Sequence, residues 1–140
     1  MVVWSFESSV IWLFGHQVYF LEVRVLIFIT ISRQTGSMGK EIAELLAKKT
    51  GLPLITRDLA ITKWLPEVAT KHELHMLAES PGFFLTTSSL GLTFAQHLEN
   101  KLKDFITQQP AIIFGLGAQI IFAQHPSAIP VKIMASPEVR

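Results

Sequence analysis

The chain has 140 residues, of which 49% are hydrophobic and 16% charged, and its formal net charge is +1. That length and balance suit one domain with a real core, and exclude a disordered or highly charged chain. So small a charge gives no electrostatic case for nucleic acid or a membrane surface. The lack of cysteine excludes disulfides, zinc–thiolate sites and cysteine nucleophiles, and is compatible with a reducing cytoplasm.

Residues 1–24 are apolar and aromatic, with Trp4, Phe6, Trp12, Phe14, Tyr19 and Phe20. No Lys or Arg precedes Arg24, so a secretory leader with a basic start does not fit. Glu7, His16, Gln17, Glu22 and Arg24 interrupt the run, so a membrane-crossing helix does not fit either. Three readings stay open: an extra strand or helix packed on the domain, a membrane-associating segment, or upstream sequence translated from a misassigned start. The last is favoured, because the organised pattern begins at Val25. The expected division is therefore an extension over 1–24 and a domain over 25–140.

The stretch 25–47 organises the rest. An unbroken apolar run from Val25 to Ile29 continues through Thr30 and Ile31. The lack of alternation predicts a strand buried on both faces, as in a parallel sheet. A turn over 34–39 follows, then Lys40 and a helical pattern. Strand, glycine turn, lysine and helix together form the local plan of a phosphate cradle. Glycine lets backbone approach phosphate oxygens, while amides and a helix N-terminus favour an anion. Lys40 would add a point charge. The G-x-x-x-x-G-K-[ST] pattern is matched only in its second half. Gln34 stands at the first glycine, and Glu41 where a magnesium-binding hydroxyl belongs. A plain strand–turn–helix connection is the alternative.

Ile42, Ala43, Leu45, Leu46 and Ala47 give the following helix an apolar face. Gly51 reads as the residue past its end, and Pro53 prevents continuation. A short strand is expected over 52–55. Arg57 and Asp58 at its end are placed for a ligand, although Thr56 or Asp58 could simply cap a helix. Residues 59–79 read as helix interrupted near Pro66. His72 and His75 miss the H-E-x-x-H spacing, because Met76 stands where the second histidine would be. Residues 83–91 read as a loop that could cover a pocket. A strong amphipathic helix over 92–109 buries Ala95, Leu98, Leu102, Phe105 and Ile106. A strand over 111–114, a glycine turn over 115–118, a helix over 119–123 and a strand over 131–134 complete the order. Pro126 and Pro130 are expected to flank a linker. The five histidines offer no Ser-His-Asp arrangement. Strands alternating with helices argue for right-handed crossovers and a parallel α/β sheet.

Three blocks resemble the cytidylate kinase-like family, a branch of the P-loop nucleoside monophosphate kinases. The first is ITISRQTGSMGKEIAELLA, over 29–47, similar to I-T-I-S-R-Q-x-G-S-x-G-[RK]-E-I-A. The second is GLPLITRDL, over 51–59, similar to G-[IL]-P-x-x-D-R-E-L. The third runs from AIIFGLGAQIIF to VKIMASPEVR and looks like V-I-V-G-R-G-A, then A-P-x-x-x-R. The resemblance implies a P-loop NTPase-type three-layer fold, incomplete at its C-terminal end. It implies ATP- and Mg2+-dependent phosphoryl transfer to a nucleotide such as CMP or dCMP, in the cytoplasm. By position, Gly36, Ser37, Met38 and Gly39 would give backbone donors to the donor phosphates, with Lys40 and Glu41 beside them. Lys40 and Arg140 would be catalytic. Arg57, Asp58, Gly115 and Gly117 would face the acceptor nucleotide. No metal ligands are assigned. Among the departures from these patterns, Thr56 replaces an aspartate and Leu116 an arginine.

Overall fold

In a computed structural model, the described residues are 2–6, 9–14, 17–22 and 26–138, the first three stretches by backbone alone. Val25 and Arg140 lie outside them. The three N-terminal stretches are strands β1 (Val2–Phe6), β2 (Ser9–Phe14) and β3 (Gln17–Glu22), paired antiparallel in chain order. The described residues of this segment are thus in strands. No described helix is long and apolar enough to cross a membrane.

A second sheet holds β4 (Phe28–Arg33), β5 (Leu54–Ile55), β6 (Ile112–Phe114) and β7 (Ala128–Ile133) in the order β5-β6-β4-β7, all parallel. The first strand of the αβ alternation therefore lies inside the sheet, between β6 and β7. Side chains alternate across it. Ile31, Ile112 and Phe114 point to one face, where Ala43, Leu46 and Ala47 of α1 (Gly39–Thr50) pack. Phe28, Ile55 and Ile113 point to the other, against Leu98, Leu102 and Ile106 of α4 (Phe94–Gln108) and Ala118 of α5 (Ala118–Ile121). The result is the expected three-layer α/β fold, a parallel sheet between helices.

Local chemistry sets each boundary. Gly51 ends α1 at φ 70°, with its N–H donating to the Ala47 carbonyl. A Cβ there would meet nothing within 4 Å, so only the left-handed backbone resists a side chain. Gly51→Ala is expected to cost about 1 kcal/mol, read as a lower urea midpoint at unchanged slope. Thr56 caps α2 (Arg57–Leu59), its hydroxyl accepting from the Leu59 N–H at 3.2 Å. The capping alternative therefore holds here, while Arg57 and Asp58 also reach the cleft described below. A widened turn over Ala60–Trp64 and a tight one over Leu65–Glu67 carry the chain past Pro66 to α3 (Lys71–Glu79). Reciprocal capping boxes open α3 through Thr70 and Glu73, and α4 through Thr93 and Gln96. Accepting the Thr70 N–H and hydroxyl holds the Glu73 carboxyl below the usual range.

Two expectations need correction. Pro130 lies inside β7 rather than at the end of a linker, paired in register with Thr30. Among the described strands β7 is at the sheet edge, where a missing N–H breaks no inner ladder. On α1, Ile42 and Leu45 stay 45% and 53% exposed. The helix lies over β4, β5 and β6, so only its Ala43, Leu46 and Ala47 stripe meets the sheet.

Candidate functional site

The site forms at the carboxyl end of the parallel sheet, where loops leave the two central strands β4 and β6. After β4 the backbone turns over Gln34–Ser37, with the Ser37 N–H donating to the Gln34 carbonyl at 3.2 Å. Gly36 has φ 76° and Met38 φ 56°. Left-handed backbone is unfavourable for methionine by about 1–2 kcal/mol, and here it marks the start of α1. That helix start has no side-chain cap. The first intrahelical bond runs from the Ile42 N–H to the Met38 carbonyl, leaving the earlier amides directed outward. Ser37 is only 6% exposed, and its hydroxyl has no hydrogen-bond partner. A buried hydroxyl without a partner is costly and rare in a folded protein.

These residues enclose a hollow of about 450 Å3, lined by Gly36, Ser37, Met38, Gly39, Lys40 and Glu41 together with Arg33, Gln34 and Thr35. Gln34, at the position of the missing first glycine, has a structural use. Its N–H donates to the Ile133 carbonyl at 2.9 Å, and its side-chain oxygen accepts from the Ala135 N–H at 3.4 Å. The loop is thereby tied to the segment after β7. The positive φ that the turn requires is met at Gly36 instead.

Beside the hollow is a larger cleft of about 1050 Å3. One wall is the Gly115-Leu116-Gly117 turn after β6, with φ values of 72°, 60° and 69°. Thr56, Arg57 and Asp58 form a second side, and Ala95, Leu98 and Glu99 of α4 a third. Pro81, Phe84 and Leu85 of a tight turn over Pro81–Leu85 close the end. The region read as a pocket cover thus contributes Phe84 and Leu85. Arg33 and Lys40 line both the hollow and the cleft.

The structure brings the sequence-derived residues into one region. Gly36, Ser37, Met38, Gly39, Lys40 and Glu41 share the hollow, and Arg57, Asp58, Gly115 and Gly117 share the cleft. Arg140 lies outside the described residues. Arg57 is partly committed elsewhere. Its Nη2 donates to the carbonyls of Leu77 and Ala78 at the end of α3, and its guanidinium lies 5.5 Å from the Phe84 ring centroid. Its Nε is buried without a partner. Leu116 puts an apolar side chain where the family pattern has a cation, and packs against the core.

Two features escaped the sequence reading. Arg33 extends over the Phe114 ring, its Cζ 4.5 Å from the centroid. A charged residue ending a buried central strand was the available signal. Ser88 and His97 also meet, Oγ to Nε2 at 2.9 Å. Ser88 also accepts from the Leu90 N–H at 3.3 Å, which makes the pair a loop brace. It lies outside the cleft lining. His72 and His75 are exposed on α3.

The model of the cytidylate kinase-like family matches residues 28–140. No curated protein matches the chain. Among solved structures, one similar in fold is an uncharacterized protein from Eubacterium ventriosum ATCC 27560, with a TM-score of 0.54 and 23% identity. The alignment covers 81% of this chain and 56% of that one, so this chain spans little more than half of that protein's length. The match over 28–140 contains every described strand of the parallel sheet, the uncapped loop and the cleft. The chain belongs to the cytidylate kinase-like family.

Proposed function

We propose that this protein is a nucleotide kinase that transfers the terminal phosphoryl group of ATP to a nucleoside monophosphate, CMP or dCMP being the leading acceptors. The observation that carries this reading is the uncapped start of α1 at the end of β4, opening onto a nucleotide-sized cleft. Amides of Gly36 and of 38–40 would cradle the donor's phosphates, and the Ser37 hydroxyl would gain the partner it lacks. Lys40 would offset charge developing on the transferred group. Catalysis of this kind is mostly positioning and electrostatics. Mg2+ commonly binds through one or two carboxylates plus substrate phosphates. Glu41, on the rim of the hollow, and the Ser37 hydroxyl fit that donor set. The ion would supply charge neutralisation on the phosphates.

The acceptor would occupy the larger cleft. Asp58 and Glu99 there suit the exocyclic amine of cytosine, since carboxylates accept from that group. Glu99 is also held by Lys103 at 2.5 Å, one helical turn away. Such a kinase would work in the cytoplasm on free nucleotides rather than on nucleic acid. A second reading, nucleotide binding without transfer, is favoured by Leu116, which removes one cation from the cleft turn.

Coupled ADP release with ATP, Mg2+ and a panel of nucleoside monophosphates separates the readings. Acceptor-dependent ADP release, greatest with a cytidine nucleotide, is expected. ATP binding without release would establish the second reading. Failure to bind ATP at all would refute both.

A further inference from the structure

Leu116 removes a cation from the turn after β6, yet a guanidinium still reaches that turn. It comes from the neighbouring strand. Arg33 is the last residue of β4. Its stem crosses the start of α1 so closely that a Cβ on Gly39 would sit 2.8 Å from the Arg33 Cβ and 3.0 Å from its Cδ. Its guanidinium then passes over Phe114, with Cζ 4.5 Å from the ring centroid. Its Nη1 ends 3.6 Å from where a Cβ on Gly115 would be. One side chain thus runs from the loop's hollow to the turn that carries Leu116.

We infer that Arg33 is a bridging cation, contacting the acceptor's phosphate and the donor's terminal phosphate together and replacing the charge absent at Leu116. The inference rests on the kinase reading above. Two residues line both the hollow and the cleft, and both are cations: Arg33 and Lys40. Lys40 starts from the hollow side, on the first turn of α1, whereas Arg33 ends on the cleft side, over Phe114. Among the described residues no carboxylate pairs with the Arg33 guanidinium and no carbonyl accepts from it. Its five N–H donors remain for a ligand, in a planar fork that matches phosphate oxygens. The Phe114 face holds the guanidinium without using any donor. Gly39 is required for the same route, because any side chain there would meet the Arg33 stem.

The distinguishing property is bridging, so the probe must span both sites. The full chain is titrated with ATP and with dinucleoside pentaphosphates that join adenosine to each of the four other nucleosides. The tightest of the latter is then used. Arg33→Met keeps the stem's bulk over Phe114 and removes the charge. The expected result is a loss of about 10- to 100-fold in affinity for the pentaphosphate, the range for one charge-assisted phosphate contact, with ATP affinity much less affected. Arg33→Lys should recover part of the loss. Leu116→Arg added to Arg33→Met should restore pentaphosphate binding from the cleft side. Equal losses for both ligands would confine Arg33 to the donor cradle and overturn the bridge, as would unchanged pentaphosphate binding in Arg33→Met. A wild-type chain that binds neither ligand would instead refute the kinase reading and the inference with it. Circular dichroism establishes that the variants fold. If Arg33→Met does not, the same comparison in Arg33→Lys decides, since a point charge loses the fork and should still weaken the pentaphosphate more than ATP.

Discussion

Lys40→Ala is expected to lower phosphoryl transfer by about 100- to 1,000-fold, the effect of removing one preorganised group that stabilises transition-state charge. The fold should not suffer. Lys40 is exposed on the first turn of α1, and its side chain supports no described core. A cation there opposes the helix dipole, so alanine should leave α1 as stable or a few tenths of a kcal/mol more stable. This sign difference makes the variant informative. A residue kept for folding would not be a lysine at a helix N-terminus with no side-chain cap. Urea denaturation and ADP release on the same preparation give the two readouts. Unchanged ATP affinity and turnover would remove Lys40 from the mechanism.

The largest effect on stability is expected at Phe28→Ala, a loss of about 3–5 kcal/mol by the usual range for a fully buried aromatic. Phe28 is 1% exposed on the central strand. Its ring meets Phe122 edge-on at 4.9 Å and His125 at 5.0 Å, which adds to the area it buries. It belongs to the layer that joins the sheet to α4 and α5. A domain of this size has only about 5–15 kcal/mol to lose. The variant should therefore show a large drop in urea midpoint and a thermal transition many degrees lower. A fall of under 1 kcal/mol would mean that the cavity collapses freely and that this layer is not close-packed.

How far the sequence could be read depended on the span of each interaction. The strand–turn–helix unit was legible because its parts are contiguous: a buried strand, Gly36, Gly39, Lys40 and a helix. Strand and helix order followed from alternation, and the end of α1 from Gly51 and Pro53. The cleft was legible only piecewise. Its walls come from five separated segments, and no local pattern states that Asp58, Phe84, Glu99 and Leu116 share one space. Arg33 and Phe114 are far apart in sequence, so their stacking is a property of β4 lying beside β6. The Arg57 clamp on Leu77 and Ala78 likewise joins residues 20 and 21 positions apart. Pro130 misled because its usual meaning is interruption, and only its edge position makes it compatible with a strand. Ile42 and Leu45 misled because periodicity shows which residues share a side of a helix. It does not show how wide a neighbour covers that side.

The tie made by Gln34 has a reciprocal meaning. Its main-chain N–H and side-chain oxygen hold Ile133 and Ala135, so the peptide beyond β7 and the bend beyond β4 loosen or tighten as one unit. Thermodynamic linkage runs in both directions. An oxyanion that stills the bend must also slow solvent exchange at the distant Ala135 amide. Conversely, a proteolytic nick after Ile133 would blunt ligand affinity without touching a single contacting atom.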